Sequence, residues 1–393
     1  MKTRTFLGAL TTVALIAAAC TTGPGGTTAP SLNMPSTLGP GEGTLNLVIW
    51  AGYAEDGSTF PEYDWVTPFE TRTGCQVNAT VQADSANGVQ LLRSGEYDGG
   101  SFSGNATDRL MAAGDVAPVN TALLSNYSKV FDGLKNKAHN SLNGVPYGVP
   151  HGRGPNLLIW NTEEVDEQTT WNGLWEEAGQ YAGKLSIFDS PDFIADAALH
   201  LMATKPDLGI TNPYQLTQAQ FDAAIALLET LDGHNPQYWN GATFLEQITA
   251  FAAGDVVIGT TWQFQVNSLL GENEPVKGIK PSEGATGWSD TWMISSQAKN
   301  PNCMYMWMDH MMSAEANGTA TVYFGEAPTS AEACAFAETL SPGHCELTHA
   351  QDEPYWNDIW YWSTARSDCA DTDSATTCVP YDKWVEAWTT LRT

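Results

Sequence analysis

Short apolar runs and longer amphipathic stretches alternate along much of the chain, which is the pattern of an α/β protein. Strands are predicted for the apolar runs at residues 45–50, 76–81, 157–160, 184–188 and 255–262. Helices are predicted for the stretches at residues 65–73, 88–94, 171–178, 218–231 and 244–253. Because strands and helices follow each other in turn, we expect an α/β lobe with a mostly parallel sheet.

Two places indicate where the chain crosses between lobes. Residues 144–150 (GVPYGVP) are rigid, extended and bounded by turns, and the chain returns near residues 281–290. About 350 residues lie in the folded part, which is too many for one ordinary core and enough for two lobes. The prediction is therefore a lobe 1 of residues 44–150 and 290–330, a lobe 2 of residues 151–289, and a C-terminal segment of residues 331–393. That segment is expected to be irregular, stapled by disulfides and packed mainly on lobe 2, with an aromatic and Met-rich helix before it at 303–312 and a last helix near 381–391.

The first residues indicate export. Lys2 and Arg4 precede a mostly apolar run at residues 6–16, three alanines and Cys20. Residues 1–20 therefore read as a signal peptide, and a Cys directly after small residues resembles a bacterial lipoprotein site with Cys20 as the lipidated residue. Residues 21–43 are rich in Thr, Gly, Pro and Ser, which predicts a flexible tether. Plain secretion, with Cys20 in a structural role, is the alternative.

Six further cysteines form an even set, as expected for disulfides in an oxidising compartment. Cys334 and Cys345 are close in sequence, as are Cys369 and Cys378, and each pair brackets a loop-like segment. These pairs are predicted to close locally, which leaves Cys75 and Cys303 to join distant parts of the chain. No Cys or His spacing predicts a zinc site, and we expect no metal and no cofactor.

The charge narrows the class of partner. With 45 acidic and 17 basic residues the formal net charge is −28. Such a surface repels nucleic acid and anionic lipid and attracts cations. Nucleic acid is thus excluded as a partner, and a small cationic or zwitterionic solute is favoured.

Trp288 and Asp290 stand two residues apart ahead of a short apolar run. In an extended segment such residues share one face, so an indole ring and a carboxylate would point the same way. This pairing suits an organic cation, because its charge lies over the ring while its N–H groups reach the carboxylate. The alternative is a strand with a buried Trp and an exposed Asp.

Eight segments in order resemble a known family. They are LNLVIWAGY (45–53), FETRTG (69–74), EYDGGSFSG (96–104), GVPYGVP (144–150), GKLSIFDSP (183–191), AAGDVVIGTTW (252–262), EGATGWSDTWMI (283–294) and AKNPNCMYMWMDHMM (298–312). Together they resemble the extracytoplasmic solute-binding proteins of ABC transporters, and within them the spermidine/putrescine-binding type. The resemblance runs from about residue 45 to 330.

That resemblance implies an α/β, two-lobed periplasmic-binding-protein fold with discontinuous lobes and a hinge cleft that closes over one ligand. It also implies a ligand-binding aromatic box at Trp50, Tyr53, Trp262 and Trp288, with Asp290 as the carboxylate that holds an amine. Ser103, near the end of the third matching segment, and Asn105, directly after that segment, are further ligand-binding candidates.

The sequence departs from the family pattern in lobe 2. Polyamine binders place a second acidic pair there, but the matching positions of this chain are Ser190 and Phe193. Asp189 and Asp192 lie beside them as candidate substitutes, of which Asp189 is taken as a ligand-binding residue. Arg153, at the crossing, would oppose a dication and welcome a carboxylate. Either Arg153 pairs with a local acidic residue, or the ligand is zwitterionic or a quaternary amine.

The predicted function is high-affinity capture of a small amine-bearing solute, such as putrescine or spermidine, and its delivery to an ABC permease by an extracytoplasmic, lipid-anchored monomer. The alternative solutes are an amino acid, betaine or choline. An enzyme is not expected, because no phosphate-cradling loop, nucleophile elbow or HExxH motif occurs. A surface glycosidase or an adhesin remains as a less favoured class.

Overall fold

The structure is a computed structural model that describes residues 34–369 and 377–393. Its strands are, in chain order, β1 (Thr44–Ile49), β2 (Gln76–Val81), β3 (Gly99–Phe102), β4 (Ser141–Leu142), β5 (Val145–Pro146), β6 (Gly148–Pro150), β7 (Gly154–Pro155), β8 (Leu157–Asn161), β9 (Leu185–Phe188), β10 (Gln237–Trp239), β11 (Ile258–Thr261), β12 (Val276–Ile279), β13 (Ala285–Trp288), β14 (Thr291–Ile294) and β15 (Ile359–Tyr361). The α-helices are α1 (Val66–Thr73), α2 (Ser85–Arg93), α3 (Gly104–Ala113), α4 (Asn172–Trp175), α5 (Phe193–Thr204), α6 (Gln218–Asp232), α7 (Phe244–Ala252), α8 (Gln263–Gly271), α9 (Pro301–Met311), α10 (Ala314–Phe324), α11 (Ala331–Leu340), α12 (His344–Leu347), α13 (Glu353–Trp356) and α14 (Tyr381–Leu391). Short 3-10 helices lie at Thr121–Leu123, Tyr127–Lys129, Asp132–Leu134, Ala178–Tyr181 and Pro206–Leu208.

Two five-stranded sheets are built on the same plan. The first has the order β2-β1-β3-β14-β6 and the second β10-β9-β11-β8-β12. In each sheet the first two pairings are parallel and the last two antiparallel. Four strands of each sheet therefore run in the same direction and one strand is reversed, β14 in the first sheet and β8 in the second, so the sheets are mostly parallel in strand direction, as expected. The reversed strands, β14 and β8, each lie just after a crossing of the chain between the lobes.

The chain passes between the sheets more than once. The first sheet takes its strands from residues 44–150 and from β14, and the second takes all of its strands from residues 157–279. A three-stranded sheet, β15-β13-β7, lies on the connecting segments. Its β13 pairs with β7 in antiparallel and with β15 in parallel orientation. The C-terminal segment thus adds a strand to the connection between the two sheets.

Local sequence explains several boundaries. Gly74 ends α1 in the left-handed conformation, with φ of 73°, which a residue with a side chain rarely adopts. Thr217 and Gln220 form a capping box at the start of α6. Residues 171–178, predicted as one helix, form only α4 and part of a 3-10 turn.

Each sheet covers its own apolar core. Phe69, Trp292 and Trp307 are among the buried residues of lobe 1, whereas Leu158 and Trp160 belong to the larger core of lobe 2. The C-terminal segment joins the second core through buried side chains that include Trp356, Trp362, Trp384 and Trp388. It also contacts lobe 1, since the Thr364 hydroxyl donates to the Asn105 carbonyl and the Ser363 hydroxyl donates to Asp108.

The start of the C-terminal segment is more regular than expected. Residues 331–340 form the helix α11, and α12 and α13 follow it. Ser330 caps α11 by accepting a hydrogen bond from the Ala333 amide, and the alanines that follow favour a helix. The expectation of an irregular stretch missed this N-cap.

The three predicted disulfides are present, joining Cys75 to Cys303, Cys334 to Cys345 and Cys369 to Cys378. The first closes a separation of 228 residues with a Cα–Cα distance of 5.8 Å. It holds the start of β2 to the first turn of α9. Since long closed loops constrain the unfolded chain most, this bond is expected to stabilise lobe 1.

Residues 38–42, at the end of the predicted tether, lie against lobe 1. The Glu42 carboxylate accepts hydrogen bonds from the amides of Asn302 and Cys303 at the start of α9, where the helix dipole favours an anion. The predicted signal peptide, Cys20 and residues 21–33 lie outside the described residues. Within the described part of the chain, no helix combines the length and apolarity needed to cross a membrane.

Candidate functional site

The carboxyl ends of the parallel strands of both sheets carry the side chains of the site. Trp50 and Tyr53 follow β1, and Ser103 follows β3 in lobe 1. Trp262 follows β11, and Asp192 lies shortly after β9 in lobe 2. In open α/β sheets this edge is where ligands bind, so the two lobes present their binding edges to the same cleft.

Asp290 lies on the connection between β13 and β14 and is held by lobe 1. Its carboxylate accepts hydrogen bonds from the Tyr53 hydroxyl at 2.8 Å and from the Ser103 hydroxyl at 2.6 Å. The residue is 4% exposed. Burial raises the pKa of Asp290 to about 6, against the lowering effect of the two hydroxyls; nearby Glu326 raises this pKa further and His151 lowers it. Asp290 is therefore mainly an anion at neutral pH and is readily protonated in mild acid.

Tyr53 contributes its hydroxyl to the site rather than its ring face. The residue is 3% exposed. The His151 ring stacks on the Tyr53 ring at 4.1 Å between centroids. The Phe324 ring packs against the Tyr53 ring in a T-shaped arrangement, with 4.8 Å between the centroids. Burial and the charges of Asp290 and Glu326 raise the pKa of Tyr53 well above its usual range, so Tyr53 remains a hydrogen-bond donor. The sequence predicted it as a wall of the aromatic box, and in this structure the ring is covered.

The aromatic surface of the cleft is centred on Trp262, which is partly exposed. The rings of Trp239, Phe188 and Trp288 lie 4.9, 5.7 and 6.4 Å from it between centroids. Trp50 reaches across from lobe 1: a Cβ atom added at Gly241 of lobe 2 would lie 3.8 Å from its ring. The structure thus brings the predicted Trp50, Trp262 and Trp288 to the same cleft. The indole N–H groups of Trp50 and Trp288 are buried and have no hydrogen-bond acceptor within the described part of the chain.

A direct hydrogen bond joins the two lobes. The Asn105 amide, in the first turn of α3, donates to the Asp192 carboxylate at 2.6 Å. The Ser190 hydroxyl donates to the same oxygen at 3.0 Å. Burial raises the pKa of Asp192 to about 6, opposed by these two hydrogen bonds and by the charge of Arg109.

A second buried carboxylate lies one helical turn beyond Asp192. The Thr286 hydroxyl donates to Asp196 at 2.8 Å and accepts a hydrogen bond from the Asn156 amide at 2.7 Å. The Asn156 carbonyl in turn accepts from the Trp262 indole at 3.0 Å. Burial raises the pKa of Asp196 to about 7, with a smaller contribution from Asp192. A chain of hydrogen bonds therefore fixes the orientation of Trp262 and ends at an acid that titrates near neutral pH.

Two predicted site residues point elsewhere. Asp189 accepts a hydrogen bond from the Trp388 indole at 2.9 Å and lies 3.4 Å from the Arg392 guanidinium, both at the C-terminal helix α14. Arg153 is 1% exposed. Its guanidinium pairs with Glu353 at 3.0 Å and lies 4.1 Å from the centre of the Trp356 ring. Arg153 therefore pairs with an acidic residue, as the alternative expected, but this partner is distant in the sequence and not local.

Sequence reasoning missed Asp196, Asn156, Phe188 and Trp239. One signal was available for Asp196, which is an acidic residue in the otherwise apolar run FIADAALHLM, where an ionised side chain is costly unless it has a role or a partner. Nothing in the sequence around Asn156 distinguishes it from a surface residue. Among the residues that the structure describes, no group of His, Cys, Asp and Glu is arranged to hold a metal ion.

Comparison with known proteins agrees with this architecture. The family model described as "Bacterial extracellular solute-binding protein" matches residues 64–341. A curated relative, spermidine/putrescine-binding periplasmic protein 1 of Haemophilus influenzae, is 22% identical over 296 residues, which cover 74% of this chain and 76% of the relative.

Solved structures share the fold at low sequence identity. The substrate-binding protein of a spermidine/putrescine ABC transporter from Streptococcus pneumoniae superposes with a TM-score of 0.68 at 17% identity, covering 89% of this chain and 99% of that one. A structure named as a GABA receptor superposes with a TM-score of 0.64 at 16% identity, covering 89% and 98%. These similarities show a two-lobed binding-protein fold, and the ligands named differ between them.

Proposed function

The chain belongs to the family of bacterial extracellular solute-binding proteins, which serve ABC importers, and within that role we propose that it captures a small amine-bearing solute between its two lobes. Polyamines such as putrescine and spermidine are the proposed class. The observation that carries the proposal is the buried Asp290 carboxylate, whose hydrogen-bond donors are neutral hydroxyls; the partly exposed rings of Trp262 and Trp288 supply the aromatic surface.

The chemistry of this arrangement suits an ammonium group. The hydroxyls of Tyr53 and Ser103 orient the carboxylate without neutralising it, so its charge remains available to a cationic ligand. The indole faces pack against methylene groups and attract a positive charge. A curated relative of this chain carries a spermidine/putrescine-binding name, which supports polyamines as the class of ligand.

Closure follows from contacts that only the closed state provides. Asp290 belongs to lobe 1, whereas Trp262 belongs to lobe 2, so a ligand that touches both stabilises the closed arrangement. Micromolar binding needs about 8 kcal/mol. One charge-assisted hydrogen bond contributes about 1.5–3 kcal/mol and each cation–π contact about 0.5–2 kcal/mol, so a few such contacts with buried apolar area reach this range.

A zwitterionic ligand is the second candidate, and one observation favours it. The buried indole N–H groups of Trp50 and Trp288 lack acceptors among the described residues, and a ligand carboxylate would supply them. Arg153, which first suggested an anionic ligand group, does not support this candidate, because Glu353 and Trp356 hold it. A quaternary amine such as choline or betaine would also use the exposed ring faces.

Calorimetric titration of the purified protein tests these candidates. The panel is putrescine, spermidine, betaine, choline and basic amino acids, with assay for chemical conversion of each. Micromolar or tighter binding of putrescine or spermidine without turnover supports the proposal. Binding of an amino acid or betaine alone replaces it with the second candidate, and product formation would overturn a transport role.

The location of the protein at the membrane is part of the same proposal. Cys20 is proposed as the lipid-bearing residue that tethers the two lobes outside the cytoplasm, where they meet the permease as a monomer. Cys20→Ser should then release the protein from the membrane fraction into the medium or periplasm. Unchanged membrane association of this variant would contradict the lipid anchor.

A further inference from the structure

The orientation of the Trp262 ring depends on one directional contact. The ring packs among those of Trp239, Phe188 and Trp288. Because aromatic rings pack in several offset and edge-to-face arrangements, these contacts alone do not select one orientation. The indole has a single N–H donor, and it donates to the side-chain carbonyl of Asn156 at 3.0 Å. This hydrogen bond selects the orientation that the ring has at the cleft.

The donors and acceptors behind Trp262 are consistent in one direction only. Since the indole donates and cannot accept, Asn156 must turn its carbonyl oxygen to Trp262 and its amide N–H to Thr286, which accepts at 2.7 Å. The hydroxyl hydrogen of Thr286 then needs another acceptor, and the Asp196 carboxylate provides it at 2.8 Å. Asp196 is thus the terminal acceptor on which the direction of the whole chain of hydrogen bonds depends.

Burial makes each member of this chain necessary to the next. Thr286 is 0% exposed, and Asn156 and Asp196 are each 7% exposed. A buried polar group without a partner is costly, so without an acceptor at position 196 the Thr286 hydroxyl would donate to the side-chain amide of Asn156. That amide would have to flip to offer its oxygen. It would then present an N–H group to the indole N–H of Trp262, and two donors repel each other.

The middle of the chain lies on the segments that connect the lobes. Asn156 follows β7 and Thr286 belongs to β13. The backbone amide of Asn156 also donates to the Thr286 carbonyl at 2.8 Å, so the two residues are joined twice. Asp290, the proposed ammonium-binding carboxylate, follows β13 in the same connection. The connecting segment therefore relates the two parts of the proposed site, the Trp262 ring and the Asp290 carboxylate.

We propose that Asp196 is a positioning residue for ligand binding, which holds the Trp262 ring toward an ammonium ligand through Thr286 and Asn156. This inference rests on the proposed function. Asp196 acts by accepting one hydrogen bond, and its charge is not required, because a side-chain amide keeps an oxygen that accepts. Asp196 thus influences the affinity without contacting the ligand.

The first measurement is the affinity for putrescine by calorimetric titration at pH 8, above the raised pKa values of Asp196 and Asp290. Asp196→Ala removes the acceptor and should weaken the binding of putrescine by about twofold to thirtyfold, the range of one cation–π contact. Asp196→Asn keeps an accepting oxygen and should restore most of the affinity. Asp207→Ala removes an exposed acid of the same lobe and is the matched control, which should bind putrescine like the unchanged protein.

A double-mutant comparison separates positioning from general damage to the fold. In a Trp262→Phe background the ring has no N–H group to be held or repelled, so Asp196→Ala should change the affinity little further. An equal loss in both backgrounds would show a structural role alone, and equal losses in Asp196→Ala and Asp196→Asn would show that the charge matters; either result overturns the inference. If Asp196→Ala fails to fold, Thr286→Val interrupts the same chain and carries the same expectation in the two backgrounds.

Fluorine NMR of protein labelled with 5-fluorotryptophan gives a readout that needs no ligand. The chain has 15 tryptophans, so the Trp262 signal is assigned by its absence in Trp262→Phe. That signal should shift or broaden in Asp196→Ala and return to its original position in Asp196→Asn. An unmoved signal overturns the inference whether or not putrescine binds. A moved signal in a protein that binds no putrescine refutes the proposed ligand and retains the positioning of Trp262.

Discussion

Replacement of Asp290 by Asn is the most direct test of the site. The change preserves the size of the side chain and its ability to accept a hydrogen bond from Tyr53 or Ser103, and it removes the negative charge. If an ammonium group binds there, the loss of one charge-assisted hydrogen bond costs about 1.5–3 kcal/mol. The dissociation constant should therefore rise by about tenfold to a hundredfold.

The ligand-free protein should tolerate this change. Burial raises the pKa of Asp290 from 3.8 to about 6, and a difference of this size corresponds to about 3 kcal/mol against the ionised form. Because the folded state then binds more protons than the unfolded state between pH of about 4 and 6, the unchanged protein gains stability as the pH falls through this window. Asp290→Asn removes this penalty, so its melting temperature at pH 7.5 should be equal or higher.

The pH dependence of binding provides an independent measurement. An ammonium ligand needs the ionised carboxylate, so affinity should be constant above a pH of about 7 and fall below about 6, as Asp290 takes up a proton. The slope of the logarithm of affinity against pH, measured by calorimetric titration between pH 5 and 8, should thus be smaller by about one proton in Asp290→Asn than in the unchanged protein.

Arg153→Ala is the contrasting variant. Its guanidinium packs on Trp356 and pairs with Glu353, so its loss should lower the melting temperature and leave the affinity for an amine nearly intact. Unchanged affinity in Asp290→Asn, together with loss of binding in a folded Arg153→Ala, would refute the reasoning. The anionic end of the ligand would then be what the protein recognises.

Three further predictions concern the rest of the site and the fold. Trp262→Ala should weaken the binding of a cationic ligand by about 0.5–2 kcal/mol per lost ring contact, as measured by calorimetry. Trp262→Phe should retain most of the affinity. Equal losses of affinity in the two variants would exclude a role for the ring face. Asp196→Asn should raise the stability at pH 8, because the raised pKa of about 7 corresponds to a penalty on the order of 4 kcal/mol for the ionised form. The variant should also lose the gain in stability that the unchanged protein shows as the pH falls to 5. Denaturant melts at both pH values that show the same stabilities for the variant and the unchanged protein would contradict this. Joint replacement of Cys75 and Cys303 by Ser should lower the free energy of unfolding by about 2–5 kcal/mol, and an unchanged denaturation midpoint would show that this disulfide adds nothing.

The sequence by itself determined the elements and much of their order. Apolar runs of strand length predicted β2 with its observed bounds, and the last helix was predicted over the residues of α14. The disulfides followed from the spacing of the cysteines and their even number. These features depend on local pattern, since the periodicity of burial and the positions of helix ends are written in neighbouring residues. The approximate positions of Trp262, Trp288 and Asp290 at strand ends followed in the same way.

Only the tertiary structure decided where each side chain points. Asp189 and Asp192 have the same chemistry and lie three residues apart, yet one meets α14 and the other meets α3 of the opposite lobe. Tyr53 presents its hydroxyl because His151 and Phe324 cover its ring, and Arg153 is paired by Glu353, 200 residues away in the chain. The charge and pKa of a buried group depend on neighbours brought together by folding. Local sequence does not specify those neighbours, so the family resemblance implied a cleft while the roles of these residues stayed open.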